Sequence, residues 1–129
     1  MAPAAVVRTV LVDDSPEVRH LLRTRLELEG GYDVLGEAAD GAEGIVLATK
    51  YQPDVIVLDA MMPVLSGVDA LPAIVQGAPD SKIVVYSAYT DDPALDRIYE
   101  AGAHAIVNKA APLDQLLLAI AGVLPTAPA

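Results

Sequence analysis

Five times along the chain, a short apolar run rich in Val, Ile and Leu gives way to a stretch with apolar residues at helical spacing. This alternation restricts the fold more than any other feature. The strand-like runs are 6–12 (VVRTVLV), 32–38 (YDVLGEA), 54–59 (DVIVLD), 82–88 (KIVVYSA) and 104–109 (HAIVNK). Between them, 15–29 carries Val18, Leu21, Leu22 and Leu26 on one face, and a second helix is expected from Asp40 to about Lys50. A third, near 68–76, aligns Leu71, Ile74 and Val75. The fourth opens at Asp92-Pro93 with Leu95, Ile98 and Tyr99 inward, and the last runs from Pro112 with Leu113, Leu116, Leu117, Ile120 and Leu124 on one stripe.

The punctuation agrees. Ser15 is a natural N-cap followed by Pro16 at the first helical position, and Gly30-Gly31 ends that helix. Asp40 and Glu43 form a capping-box-like pair, Pro53 breaks the chain before the third strand, and Gly102 closes the fourth helix. Pro72 is awkward inside a helix, so its first turn is expected close before it. Strands apolar on both faces, alternating with helices, predict a parallel sheet covered on both sides. Right-handed crossovers leave few strand orders, and the flavodoxin-like 2-1-3-4-5 suits five units. Ligands of such sheets sit beyond the carboxyl ends of the strands, where strands 1 and 3 diverge.

At that end strand 1 stops in Asp13-Asp14, strand 3 in Asp59, strand 4 in Ser87 and strand 5 in Lys109. Singly, each has a plainer reading. Asp-Asp before Ser-Pro is ordinary helix-capping chemistry, strands often end in polar residues, and Lys109 is one of three lysines. Together they put three carboxylates, a hydroxyl and an ammonium on one rim. Two carboxylates about 4 Å apart repel by roughly 4 kcal/mol at an effective dielectric near 20. Three clustered acids call for a cation, and hard oxygen donors without His or Cys favour Mg²⁺, which keeps waters and leaves room for a phosphoryl oxygen.

Composition narrows the function further. The 129 residues suit one domain, and without Phe or Trp the core must be Val, Leu, Ile and Ala. A net charge of −10 argues against direct nucleic-acid binding, because nothing would displace phosphate counterions. The absence of cysteine rules out disulfides, a thiol nucleophile and Cys-ligated zinc. No apolar run approaches membrane-spanning length, so a cytoplasmic protein with no membrane contact is expected.

The motifs LVDDSPEVR, IVLDAMMPVLSG, VVYSA and the lysine of IVNKAAP, in this order and spacing, resemble those of the CheY-like receiver domains of two-component response regulators. The resemblance spans 6–124, with 1–5 expected as a flexible N-terminus and 125–129 as a tail or the start of a linker. It implies a signalling phosphoacceptor, not an enzyme acting on a separate substrate, that catalyses its own phosphorylation and dephosphorylation. Asp59 would take the phosphoryl group from the phosphohistidine of a sensor kinase or phosphotransfer protein. Asp13 and Asp14 would hold Mg²⁺ with Asp59 and the Met61 backbone carbonyl. Ser87 matches the family's switch hydroxyl, and Lys109 the lysine that pairs with the phosphoryl oxygens.

Met61 and Tyr89 match positions flanking the path of the hydrolytic water. The resemblance further implies a switch in the face of the fourth helix, fifth strand and fifth helix, with homodimer formation on phosphorylation as one outcome. Two departures stand out. Ile106 occupies the position of the usual strand-5 aromatic, and Ala110-Ala111-Pro112 after Lys109 resembles the NarL-like branch. The first shifts the expected relay to a tyrosine, Tyr89 being favoured over Tyr86 and Tyr99. The second means that the following loop need not hold a cis-proline.

Other readings fit less well. A haloacid-dehalogenase-type phosphatase needs a second Asp two residues after its nucleophile, and position 61 is Met. No Gly-x₄-Gly-Lys-Ser/Thr run exists, and an FMN site would want Ser, Thr and Gly after strand 1 where two acids stand. A receiver serving as a constitutive interaction module remains the alternative, opposed by the complete Asp/Asp/Asp/Ser/Lys set. No output domain is expected in this chain.

Overall fold

The computed structural model describes residues 6–62, 65–88 and 92–125. The expectations for 1–5, for Tyr89 and for the end of the tail lie outside the described residues.

Ten elements alternate: β1 (Val7–Val12), α1 (Pro16–Glu29), β2 (Tyr32–Ala38), α2 (Gly41–Tyr51), β3 (Val55–Leu58), α3 (Gly67–Gly77), β4 (Lys82–Ser87), α4 (Asp92–Ala101), β5 (Ala105–Asn108) and α5 (Leu113–Val123). All pairings are parallel and the order is β2-β1-β3-β4-β5, as the alternation predicts.

Side chains alternate across each strand, which divides the core in two. Val10, Val12, Ile56, Leu58, Ile83 and Val85 meet Ala48, Leu71, Ile74 and Ile98, so α2, α3 and α4 cover one face. Leu11, Val57, Val84, Tyr86 and Val107 meet Leu22, Leu26, Leu116 and Ile120 from α1 and α5 on the other. Each such side chain contributes about 1.5–3 kcal/mol on burial. With no Phe or Trp, closeness comes from small residues. Gly44 lies under Val12, where an added Cβ would sit 3.0 Å from Cγ1.

The helix ends follow their capping residues. Ser15, Asp40 and Ser66 accept from Val18 N, Glu43 N and Asp69 N, and Glu43 in turn accepts from Ala39 N. Two expectations need correction. Leu21 is 51% exposed and Tyr99 is 48% exposed, so neither belongs to the inner stripe assigned to it. A stripe drawn at i, i+3, i+4 is wider than the sheet face it covers, and its edge residues stay in solvent. Pro72 stands in the second turn of α3, with the first turn close before it as expected. Its ring faces solvent, and the helix continues past the one hydrogen bond that a proline cannot donate.

Candidate functional site

The carboxyl ends of β1, β3, β4 and β5 form one rim. Asp13 and Asp59 lie just beyond their strands, yet the ladder still holds their backbones. Asp13 N donates to Ala38 O (3.0 Å) and Asp59 N to Val12 O (2.9 Å). On the far side Lys109 N donates to Ser87 O (2.9 Å). The acidic and basic groups are thus mounted on the sheet, not on free loops.

Asp13 and Asp59 are 3% and 5% exposed and Ser87 is fully buried, whereas Asp14 is open to solvent. One carboxylate oxygen from each of Asp13, Asp14 and Asp59 lies within 4.8 Å of the others. At that spacing each charged pair repels by roughly 3–4 kcal/mol in a partly screened site. Lys109 offsets this for two of them, with Nζ 2.7 Å from Asp13 Oδ2 and 3.2 Å from Asp59 Oδ2. Its ammonium also lies 5.8 Å from the centre of the Tyr86 ring.

Each carboxylate has a second anchor. Asp13 Oδ1 accepts from Ser15 N (2.9 Å), and Asp59 Oδ1 from Met61 N (3.1 Å). Burial nevertheless pushes the Asp59 carboxyl above its ordinary pKa. The Met61 N–H and Lys109 oppose the rise, and Asp13 adds to it. Burial works against the Lys109 ammonium, but its two carboxylates, Asp13 foremost, outweigh this and raise its pKa.

An all-oxygen donor set with one solvent-facing member fits a small hard cation that retains water ligands, as Mg²⁺ does. The Met61 side chain is 56% exposed beside this opening. The half-buried Ile106 packs against the α2–α4 side of the core. Tyr86 is buried on the α1–α5 side, so it is not a mobile surface tyrosine.

Sequence reasoning missed two contributors. Arg19 donates from Nη1 to the Asp13 carbonyl and from Nε to Glu37 Oε1 (3.2 Å), while Arg23 Nε holds Glu37 Oε2 (2.7 Å). The available signal was an arginine on the stripe of Ser15, Val18, Leu22 and Leu26. Gly67 opens α3 against Asp59, where a Cβ would lie 2.0 Å from the Asp59 carbonyl oxygen. Tyr86, weighed in the sequence as a relay, lies instead beneath the Lys109 ammonium.

Comparison with known proteins gives a consistent picture. The family model of the response regulator receiver domain matches residues 9–121. Transcriptional regulatory protein LiaR of Bacillus subtilis (strain 168) is 36% identical over 115 residues, covering 89% of this chain and 54% of LiaR. A protein-glutamate methylesterase/protein-glutamine glutaminase of Hahella chejuensis is 39% identical over 102 residues, 78% of this chain and 29% of that protein. The chain thus spans about half the length of LiaR and less of the methylesterase. Among solved structures, a LuxR-family two-component response regulator from Aurantimonas superimposes with a TM-score of 0.87 at 32% identity, covering 92% of this chain and 85% of that one. The response regulator domain of Thermotoga maritima CheB gives 0.86 at 28% identity, covering 95% and 99%.

Proposed function

The chain belongs to the response regulator receiver domain family, and from that premise we propose that residues 6–124 form a phosphoacceptor whose acceptor atom is a carboxylate oxygen of Asp59. The observation that carries this is the placement of Asp59. It is a buried carboxylate on a strand end, held by the Met61 N–H and facing both Lys109 and two further acids.

In the proposed reaction an Asp59 oxygen attacks the phosphorus of a phosphohistidine presented by a sensor kinase or phosphotransfer protein. The phosphorus–nitrogen bond breaks as the phosphorus–oxygen bond forms, and the imidazole leaves with the electron pair. A Mg²⁺ held by Asp13, Asp14, Asp59 and the Met61 carbonyl would supply charge neutralisation at the transferring oxygens. The chain's own residues do the rest. The Met61 N–H fixes the Asp59 side chain, and Lys109 exchanges a carboxylate partner for the incoming phosphoryl oxygens. Water later returns the carboxylate, with Met61 and Tyr89 at the positions that would govern its access.

Phosphorylation would engage Ser87 at the end of β4 and alter the α4–β5–α5 face. Ile106 has no polar-tipped ring to swing, so the loop after Ser87, with Tyr89, is the proposed relay to partners, a second copy of the chain among them. A ligand shifts such an equilibrium only through contacts that differ between the two states, which the new phosphoryl–Ser87 bond supplies.

The test is the intact mass of the chain after incubation with a small-molecule phosphodonor, with and without Mg²⁺. One phosphoryl group should be gained when Mg²⁺ is present and little in its absence. No gain under either condition would reject the reading, and equal gain in both would reject the metal's part in it.

A further inference from the structure

Among the carboxylates of the rim, Asp13 is held everywhere. Its N–H bonds β2, its Oδ1 takes the Ser15 N–H, and its Oδ2 takes Lys109. Asp14 is held nowhere directly. Among the described residues no donor bonds its carboxylate, and its side chain stands in solvent. Where that carboxylate points therefore depends on the peptide joining Asp13 to Asp14. The carbonyl of that peptide accepts from Arg19 Nη1.

Arg19 is in turn well fixed. It projects from the first turns of α1 and its side chain is only 17% exposed. Its Nε is tied to Glu37 on β2, which Arg23 grips from the other oxygen. A planar guanidinium bonded at two edges is a far better orienting device than a flexible ammonium. Resting on the metal-site reading above, we infer that Arg19 is a positioning residue for the cation site. It clamps the Asp13–Asp14 peptide so that the otherwise untethered Asp14 carboxylate faces Asp13 and Asp59.

Two effects of Arg19 on a bound cation have opposite signs, which makes the inference testable. As a charge, the guanidinium repels Mg²⁺, so its removal alone would tighten binding. As a clamp it orders a ligand, so its removal loosens binding. Partners standing behind metal ligands typically account for tenfold or more in affinity. The clamp wins, because Glu37 already offsets part of the charge of Arg19, while among the described residues no other group holds the carbonyl.

Isothermal titration of the unphosphorylated chain with Mg²⁺ at constant ionic strength reads this without any turnover. Arg19→Met should bind about tenfold more weakly than wild type. Arg19→Lys keeps the charge but not the two-edged grip, and should also bind more weakly. It serves as the second variant if the methionine form does not fold. Arg23→Met, which loses a Glu37 partner but no contact with Asp13, should bind as wild type does. Unchanged or tighter binding by Arg19→Met, or wild-type affinity in Arg19→Lys, overturns the inference and leaves the metal site standing. Equal weakening in Arg23→Met also overturns it, since the effect would then be general. A wild-type chain that takes up no Mg²⁺ overturns the metal site and the inference together.

Discussion

Lys109 lies between Asp13 and Asp59, its Nζ bonded to Oδ2 of each at 2.7 and 3.2 Å. A single ammonium thus restrains two buried carboxylates from the neighbouring central strands β1 and β3, in the place where a phosphoryl group is proposed to arrive. Replacing it leaves both acids without their cation. Lys109→Met should lower stability in chelator by about 2 kcal/mol, near the low end for truncating a partner of a buried charge pair, because the lysine keeps some exposure. Added Mg²⁺ should then raise the melting temperature more in the variant than in wild type. A smaller rise would show that metal and lysine do not relieve the same repulsion.

The Asp59 carboxyl titrates above its ordinary value chiefly because it is buried. A carboxyl whose folded-state pKa is raised opposes folding when ionised, and that penalty fades as pH falls through the folded pKa toward 3.8 and below. Asp59→Asn should therefore be more stable than wild type at neutral pH, with an advantage that shrinks on acidification. Denaturant melts across that range give the measurement. An advantage that grows as pH falls would contradict the assigned cause.

Gly67 and Gly122 separate a needed glycine from a tolerated one. A Cβ at Gly67 would sit 2.0 Å from the Asp59 carbonyl oxygen, while one at Gly122 meets nothing within 4 Å. Gly67→Ala should cost about 3 kcal/mol, the upper range for overpacking, and displace the Asp59 backbone. Gly122→Ala, within α5, should stabilise by about 0.5 kcal/mol. Equilibrium unfolding of the two variants checks both signs.

His104 Nδ1 accepts the Ile83 N–H (3.0 Å) where β4 meets β5, and burial followed by the nearby Lys82 lowers its pKa below 6.5. Protonation would remove the acceptor. The folded state binds this proton less readily than the unfolded chain, so stability should fall as pH drops below 6.5 toward the folded pKa. His104→Leu should be less stable at neutral pH but should lack that decline. A decline of wild-type size in the variant would assign it to another group.

The fold was legible because its signals are local and repeated. Four buried residues in Val55–Leu58 ending at Asp59, or Ser15-Pro16 opening α1, identify their elements without reference to the rest. The acids, the hydroxyl and the lysine of the rim could be read for the same reason, since each ends a strand and parallel strands share one end. Leu21 and Tyr99 were misplaced because helical spacing gives a direction but not the width of the surface that awaits it. Arg19 escaped notice because its role exists only across elements. Its partners are a carbonyl at position 13 and a carboxylate at position 37, and no spacing rule joins them. Gly67 is similar, its need set by an Asp59 oxygen that the sequence places eight residues away.

One residue, Asp59, is proposed to carry the phosphoryl group. Borohydride reduction after phosphorylation in Mg²⁺ converts an aspartyl phosphate to homoserine, and peptide mass spectrometry then reports its position. Homoserine should appear at residue 59 alone and be absent from Asp59→Asn. Homoserine at Asp13 or Asp14 in the wild-type chain, with none at 59, would contradict the assignment.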